Sequence, residues 1–154
     1  MAVEIERKFL LKNDDWRQVE GVLYRQGYLN SNRDRTVRVR TIGETAFLTI
    51  KSKSVGATRS EYEYEIPVTD ANVMLDELCE KPIIEKTRHK VQFGGFTWEI
   101  DEFYGENEGL ILAEIELPTA DTDFALPPWI GEEVTEDTRY FNANLVSNPY
   151  KNWR

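Results

Sequence analysis

Charged side chains recur at alternate positions along this sequence: Glu4, Glu6 and Lys8; Arg38 and Arg40; Lys51 and Lys53; Glu61, Glu63 and Glu65; Lys86 and Arg88; Glu114 and Glu116, with Asp101 between the last two groups. On any one strand, such a face is what a solvated antiparallel sheet carries. From strand to strand, however, the signs are segregated. Two unit charges 4 Å apart interact by about 4 kcal/mol at an effective dielectric of 20, so like charges held side by side call for something to offset them. A polyanion on the cationic segments and metal ions on the carboxylate segments would do so, with charge on opposing strands supplying part of the effect. Clustered carboxylates without His or Cys ligands favour hard, oxygen-seeking Mg2+ or Mn2+. Arg suits phosphate through its planar fork and Lys as a point charge. His89 is the single histidine, which excludes a multi-histidine zinc centre and leaves no base to spare for a Ser-His-Asp arrangement; we read it as structural. No Gly-x-x-x-x-Gly-Lys-Ser/Thr loop is present, so phosphate has to be gripped by side chains.

These residues converge only if the elements carrying them do. The dominant pattern has a period of two, the strand periodicity. Val3, Ile5 and Phe9, with Arg7 among them, oppose Glu4, Glu6 and Lys8. Thr36 to Ile42 sets Val37 and Val39 against Arg38 and Arg40, and Ala46 to Lys53 sets Ala46, Leu48 and Ile50 against Lys51 and Lys53. Arg59 to Ile66, Phe96 to Tyr104 and Leu110 to Leu117 alternate likewise; Ile84 to Phe93 is the least tidy, with Lys86, Arg88 and Lys90 on one side and poorly apolar Glu85, Thr87 and His89 on the other, and Leu23 to Leu29 reads as a weak strand. Gly94-Gly95 marks a two-residue hairpin, because both central positions can take positive φ. Helices are expected over Asp14 to Gly21, Thr69 to Glu80 and Asp137 to Val146. So many strands with so few helices to cover them, each with one charged face, predict a mainly β chain of the α+β class whose sheet closes on itself as a barrel.

Composition sets the outer bounds. The 154 residues fit a single domain, 1–154, and 40% hydrophobic content marks a folded globular chain. A net charge of −9, from 19 Lys and Arg against 28 Asp and Glu, disfavours a broad nucleic-acid interface. The segment Met1 to Leu11 is interrupted by Glu4, Glu6, Arg7 and Lys8, unlike the apolar run of a signal peptide, and no stretch approaches 18 apolar residues. The lone Cys79 requires no oxidising compartment. The expectation is a cytoplasmic protein with no membrane partner, present as a monomer or a homodimer.

Taken in order, Glu4-Ile5-Glu6-Arg7-Lys8, Val37-Arg38-Val39-Arg40, Leu48-Thr49-Ile50-Lys51-Ser52-Lys53, Arg59-Ser60-Glu61-Tyr62-Glu63, Lys86-Thr87-Arg88, Asp101 and Glu114-Ile115-Glu116 resemble the CYTH superfamily, the triphosphate tunnel metalloenzymes, along nearly the whole chain. The resemblance implies a closed eight-stranded antiparallel tunnel with charged side chains inward, a few flanking helices and a C-terminal plug helix. It further implies that Glu4, Glu6 and Glu116 are metal ligands helped by Asp101 and Glu114, and that Glu61 and Glu63 complete the metal and water network. Lys8, Arg38, Arg40, Lys51, Lys53, Lys86 and Arg88 are the implied triphosphate binders. The run Val134 to Tyr140 resembles the start of the plug helix, so that Arg139 would reach the substrate. Arg59, Glu65 and Lys90 only continue a charged face and receive no role.

A metal-dependent hydrolysis of inorganic triphosphate to diphosphate and orthophosphate is the implied reaction. On the same fold, thiamine triphosphate hydrolysis, adenylate cyclisation and non-catalytic binding of polyphosphate or nucleotide are the alternatives. Phosphoryl transfer asks mainly for alignment and charge stabilisation. A lysine among cations should lose basicity, which makes Lys86 or Lys8 a candidate proton acceptor, aided by Tyr28.

Overall fold

A computed structural model describes residues 3–153. Among them are β1 (Val3–Leu11), β2 (Gly21–Asn30), β3 (Arg35–Ile42), β4 (Thr45–Ser52), β5 (Thr58–Ile66), β6 (Ile84–Phe93), β7 (Phe96–Phe103), β8 (Ile111–Glu116) and a short β9 (Ile130–Glu133). The sheet runs β5-β4-β3-β2-β6-β7-β8-β1-β9, and an antiparallel β5–β1 pairing closes the first eight strands into a barrel. One edge of β1 pairs with β8. The other edge is shared: Val3 to Ile5 pair with β5, the Glu6 N–H donates to the Ala57 carbonyl (3.0 Å), Lys8 pairs with Val134, and Phe9 and Leu11 pair with β9.

Directly opposed residues share a face, so the register decides what looks inward. It sets Glu6 beside Glu116, Lys8 beside Glu114, Arg88 beside Asp101, Lys51 beside Glu61, and Thr49 between Arg38 and Glu63. The alternate residues look outward and form the cores. Phe9, Trp98, Ile100, Ala113 and Ile115 are covered by Trp16, Trp129 and Ile130. Val39 and Ala46 are covered by Ala71, Leu75 and Cys79, from α1 (Val68–Val73) and the turn after it. Arg7 fits on this outer face because its guanidinium pairs with Glu133 of β9 (2.7 Å) and lies over Phe124.

At one end of the barrel the inward face turns apolar. Tyr28, Ile84, Phe103 and Leu112 pack there against Tyr140, Ala143, Leu145 and Val146, the last three from α2 (Asn142–Ser147). That cluster is the expected plug.

The helices are shorter than their sequence patterns suggest. Asp14 to Gly21 forms one 3-10 turn, Asp15–Gln18, whose one buried residue is Trp16. Gly21 already belongs to β2, where a Cβ would lie 2.2 Å from the Thr87 methyl. The second helix starts at Val68, after Pro67, and ends in a π turn, Met74–Leu78, that brings Cys79 against Gly27. The third is broken by extended Phe141 into a 3-10 turn, Thr138–Tyr140, and α2. β9 escapes the sequence reading because four residues show no useful alternation. The Gly94-Gly95 hairpin is as expected, with φ of 61° and 83°.

Candidate active site

The barrel encloses a cavity of about 270 Å3. From β1 it receives Glu4, Glu6 and Lys8; from β3, Arg38 and Arg40; from β4, Thr49 and Lys51; from β5, Arg59, Glu61 and Glu63; from β6 to β8, Arg88, Glu99, Glu114 and Glu116. Tyr28 and Thr36, with Thr135, Phe141 and Asn142 from the plug segment, complete the lining towards the closed end.

Ion pairs organise this wall. Lys51 donates to both carboxylate oxygens of Glu4 (2.9 and 3.0 Å), with Arg59 3.4 Å from the same group. Lys8 bridges Glu6 (3.1 Å) and Glu114 (2.5 Å). Arg88 donates through two nitrogens to Asp101 (2.8 Å each), Lys86 donates to the same carboxylate (2.7 Å), and Arg88 also lies 3.6 Å from Glu114. Arg38 donates to the Thr49 hydroxyl (3.2 Å), which donates to Glu63 (2.7 Å).

The protonation equilibria follow. Burial alone would raise Asp101 and Glu114, but Arg88 and Lys86 hold Asp101 down, and Lys8, Arg88 and Lys86 hold Glu114 well below the carboxylate range. Burial likewise opposes the charge on Lys8, yet Glu114 and Glu6 raise it and keep the ammonium charged. Lys86 is driven down to about 7 by burial, with Arg88 and Arg40 adding to it against the pull of Asp101. Glu116 has the opposite problem: it is an exposed residue, yet partial desolvation and the charges of Glu4, Glu61, Glu6 and Glu99 push it up to about 7.

Single carboxylate oxygens of Glu4, Glu61 and Glu116 lie within 4.8 Å of one another. The donors are all oxygen, and burial followed by the neighbouring carboxylates raises both Glu61 and Glu116, a cost that a cation would relieve. This group therefore fits a divalent metal ion. Glu6, expected beside Glu4 and Glu116, lines the cavity but is turned to Lys8.

Some expected residues sit elsewhere. Lys53 follows the end of β4 and points to solvent, away from the cavity. Arg139 is exposed, held by Asp137 two residues earlier (2.7 Å) and stacked on Trp153. Lys86 and Asp101 lie behind the lumen wall, 0% and 1% exposed, beside the apolar plug cluster. Conversely, Arg59 and Glu99 line the cavity, and the period-two steps from Glu61 and Asp101 were the signal for them. Neutral Gln26, Thr36 and Thr49 carried no charge to betray their face. His89 is structural: it donates from Nδ1 to the Val19 carbonyl (2.7 Å) and abuts Trp16.

A closed antiparallel barrel with a carboxylate triad and a convergent set of cations inside it defines a class of barrel built to hold metal and polyanion together. Residues 2–150 match the CYTH domain, and the chain belongs to that family. It is 57% identical over 155 residues to an inorganic triphosphatase of Acetivibrio thermocellus, covering 100% of this chain and 99% of that one. An inorganic triphosphatase of Nitrosomonas europaea is 42% identical over 147 residues, 93% and 96% of the two chains. A crystal structure of an inorganic triphosphatase superimposes with a TM-score of 0.68 at 39% identity, over 95% of each chain.

Proposed function

We propose that this chain hydrolyses inorganic triphosphate, adding one water across the terminal anhydride to give diphosphate and orthophosphate. The carrying observation is that one enclosed cavity holds both the Glu4, Glu61 and Glu116 group and cations from five strands, Lys8, Arg38, Arg40, Lys51, Arg59 and Arg88. Relatives named for the same activity along their full length support it.

Mg2+ or Mn2+ is the expected ion; bound by Glu4, Glu61 and Glu116 with Glu6 nearby, it supplies charge neutralisation and polarisation of phosphate oxygens. Arg38, Arg40, Lys51, Arg59 and Arg88 bind and align the triphosphate, and the narrow lumen limits bulk water around it. Glu114 serves as the partner that keeps Lys8 charged, which makes Lys8 a binder and not a base. Lys86 has a suitable proton affinity but lies behind the wall, so its part is to fix Asp101 and through it Arg88. We assign the orientation of attacking water to Glu63, which lines the cavity outside the tight triad. Tyr28, buried at the closed end among Arg38, Arg59 and Arg40 with its hydroxyl held in the protonated form by burial, is a donor to phosphate. No helix among the described residues is long and apolar enough to cross a membrane; the cytoplasmic location in this reading rests on the single Cys79, which requires no oxidising compartment.

Phosphate release from triphosphate, measured with Mg2+, with Mn2+ and after chelation, tests the reading. Metal-dependent release of one orthophosphate per triphosphate is expected. Tight triphosphate binding without turnover would replace hydrolysis by a binding role, and cyclic AMP from ATP with Mn2+ would point to a cyclase.

A further inference from the structure

The interior cations differ in what neutralises them. Lys8, Arg38, Lys51, Arg59, Lys86 and Arg88 each have a carboxylate oxygen within 4.0 Å. Arg40 lines the same cavity and has no such partner among the described residues. Its Nε instead donates to Gln26 Oε1 (2.9 Å), and its guanidinium carbon lies 5.1 Å from the centroid of the Tyr24 ring. The same ring carries Arg88 at 5.0 Å. Both supports come from β2, which runs between cationic β3 and β6 and places Gln26 opposite Arg40 and Tyr24 opposite Lys86.

The choice of residue types is informative. Gln26 is fully buried, and its Nε2 has no hydrogen-bond partner. A glutamate at this position would pair with Arg40 and leave no orphan donor, which is the better solution for folding. An amide orients the guanidinium without neutralising it. A tyrosine face does the same, attracting the cation through its ring quadrupole and spacing it from Arg88.

We propose that Gln26 and Tyr24 are positioning residues for triphosphate binding, which fix the Arg40 guanidinium at the lumen while leaving its charge available to the anionic substrate. This rests on the triphosphatase reading. β2, the strand whose inward residues carry no charge, thereby sets the two cationic strands on either side of it.

The test is Gln26→Glu, which keeps the acceptor and adds a charge. The expected result is a KM for triphosphate raised roughly 10- to 100-fold, with kcat changed less than KM and the Tm of the ligand-free protein equal to or above wild type. A purely structural role predicts an unchanged KM, since the hydrogen bond survives. Tyr24→Leu should raise KM, and Tyr24→Phe, which retains the ring, should restore most of the affinity; this pair decides the matter if Gln26→Glu does not fold. Calorimetric binding of a non-hydrolysable imido analogue of triphosphate separates the two levels. Wild type that binds the analogue but does not turn over triphosphate removes the enzymatic reading, while weaker binding by Gln26→Glu still supports the positioning role. Equal affinity of wild type and Gln26→Glu, or equal behaviour of Tyr24→Leu and Tyr24→Phe, overturns the proposal.

Discussion

Two sides of the lumen treat charge differently. Along β6, β7 and β8 every interior cation is matched: Lys86 and Arg88 share Asp101, and Arg88 and Lys8 share Glu114. On the other side Lys51, Arg59 and Arg38 also have carboxylate partners, but Arg40 meets only an amide and a ring, and Glu116, at the end of β8, has no cation within 4.0 Å among the described residues. The matched side resembles a buried ion-pair network, whose members are strongly destabilising when one partner is removed. The unmatched groups are charged surfaces without local partners, and an anion or a metal ion would complete them. The lesson is that a charged lumen is not uniformly a binding surface; part of it is scaffold.

The largest expected effect falls on the matched side. Asp101→Ala leaves Lys86 buried without a counter-charge, strips Arg88 of its two-nitrogen partner while Glu99 and Glu114 remain beside it, and should lower unfolding stability by about 3–5 kcal/mol, measured by denaturant titration. A loss below about 1 kcal/mol would mean that this wall is not a scaffold. On the other side, Arg38→Ala removes one of the cations proposed to bind triphosphate while leaving Thr49 and Glu63 paired. Turnover at saturating metal should fall roughly 10²–10³-fold, with circular dichroism and cooperativity of unfolding retained. A collapse of the fold instead would move Arg38 to the scaffold.

A pH series sharpens the contrast further. In the folded protein Glu116 titrates at about 7, above its ordinary 4.5, so between these values the folded chain holds a proton that the unfolded chain has released. Stability from this group is present at low pH and lost as pH rises towards 7. The Tm of metal-free protein should therefore drop between about pH 5 and pH 7.5, and both Glu116→Gln and added Mg2+ should flatten that drop. An identical slope in wild type and Glu116→Gln would show that the acid cluster is not crowded. The smallest effect is expected at Lys53, which lies exposed past the end of β4: Lys53→Ala should change stability by no more than ~0.5 kcal/mol, and turnover by less than about twofold.

Much of this is legible in the sequence. On β1, β3, β4 and β8, charges alternate with apolar residues, and period two assigns each side chain to a face without ambiguity. What alternation does not give is height along the barrel axis. Lys86 and Asp101 share the inward face with Arg88 and Glu99, but the plug cluster of Ile84, Phe103 and Leu112 occupies their level and walls them off. Arg139 was misplaced for a related reason: its segment does reach the cavity through Thr135, Phe141 and Asn142, while a local pairing with Asp137 holds its own side chain outside. β2 was the weakest pattern because Tyr24, Gln26 and Tyr28 face inward without formal charge. A lumen-facing strand of neutral side chains looks, in one dimension, like a poor strand.

The divided edge of β1 bears on how the molecule comes together in time. Three of the lumen's charged groups ride on this earliest strand, yet its neighbours are drawn from Thr58–Ser60, Ala113–Glu116 and Ile130–Val134. Pairings of such wide sequence separation form slowly, and until the segment around residue 134 has left the ribosome β1 lacks part of its wall. A nascent chain stalled before that point can pair β1 with β5 and β8 but holds Lys8 on a strand whose second edge is unfinished, so the completed wall of the pocket is a late event.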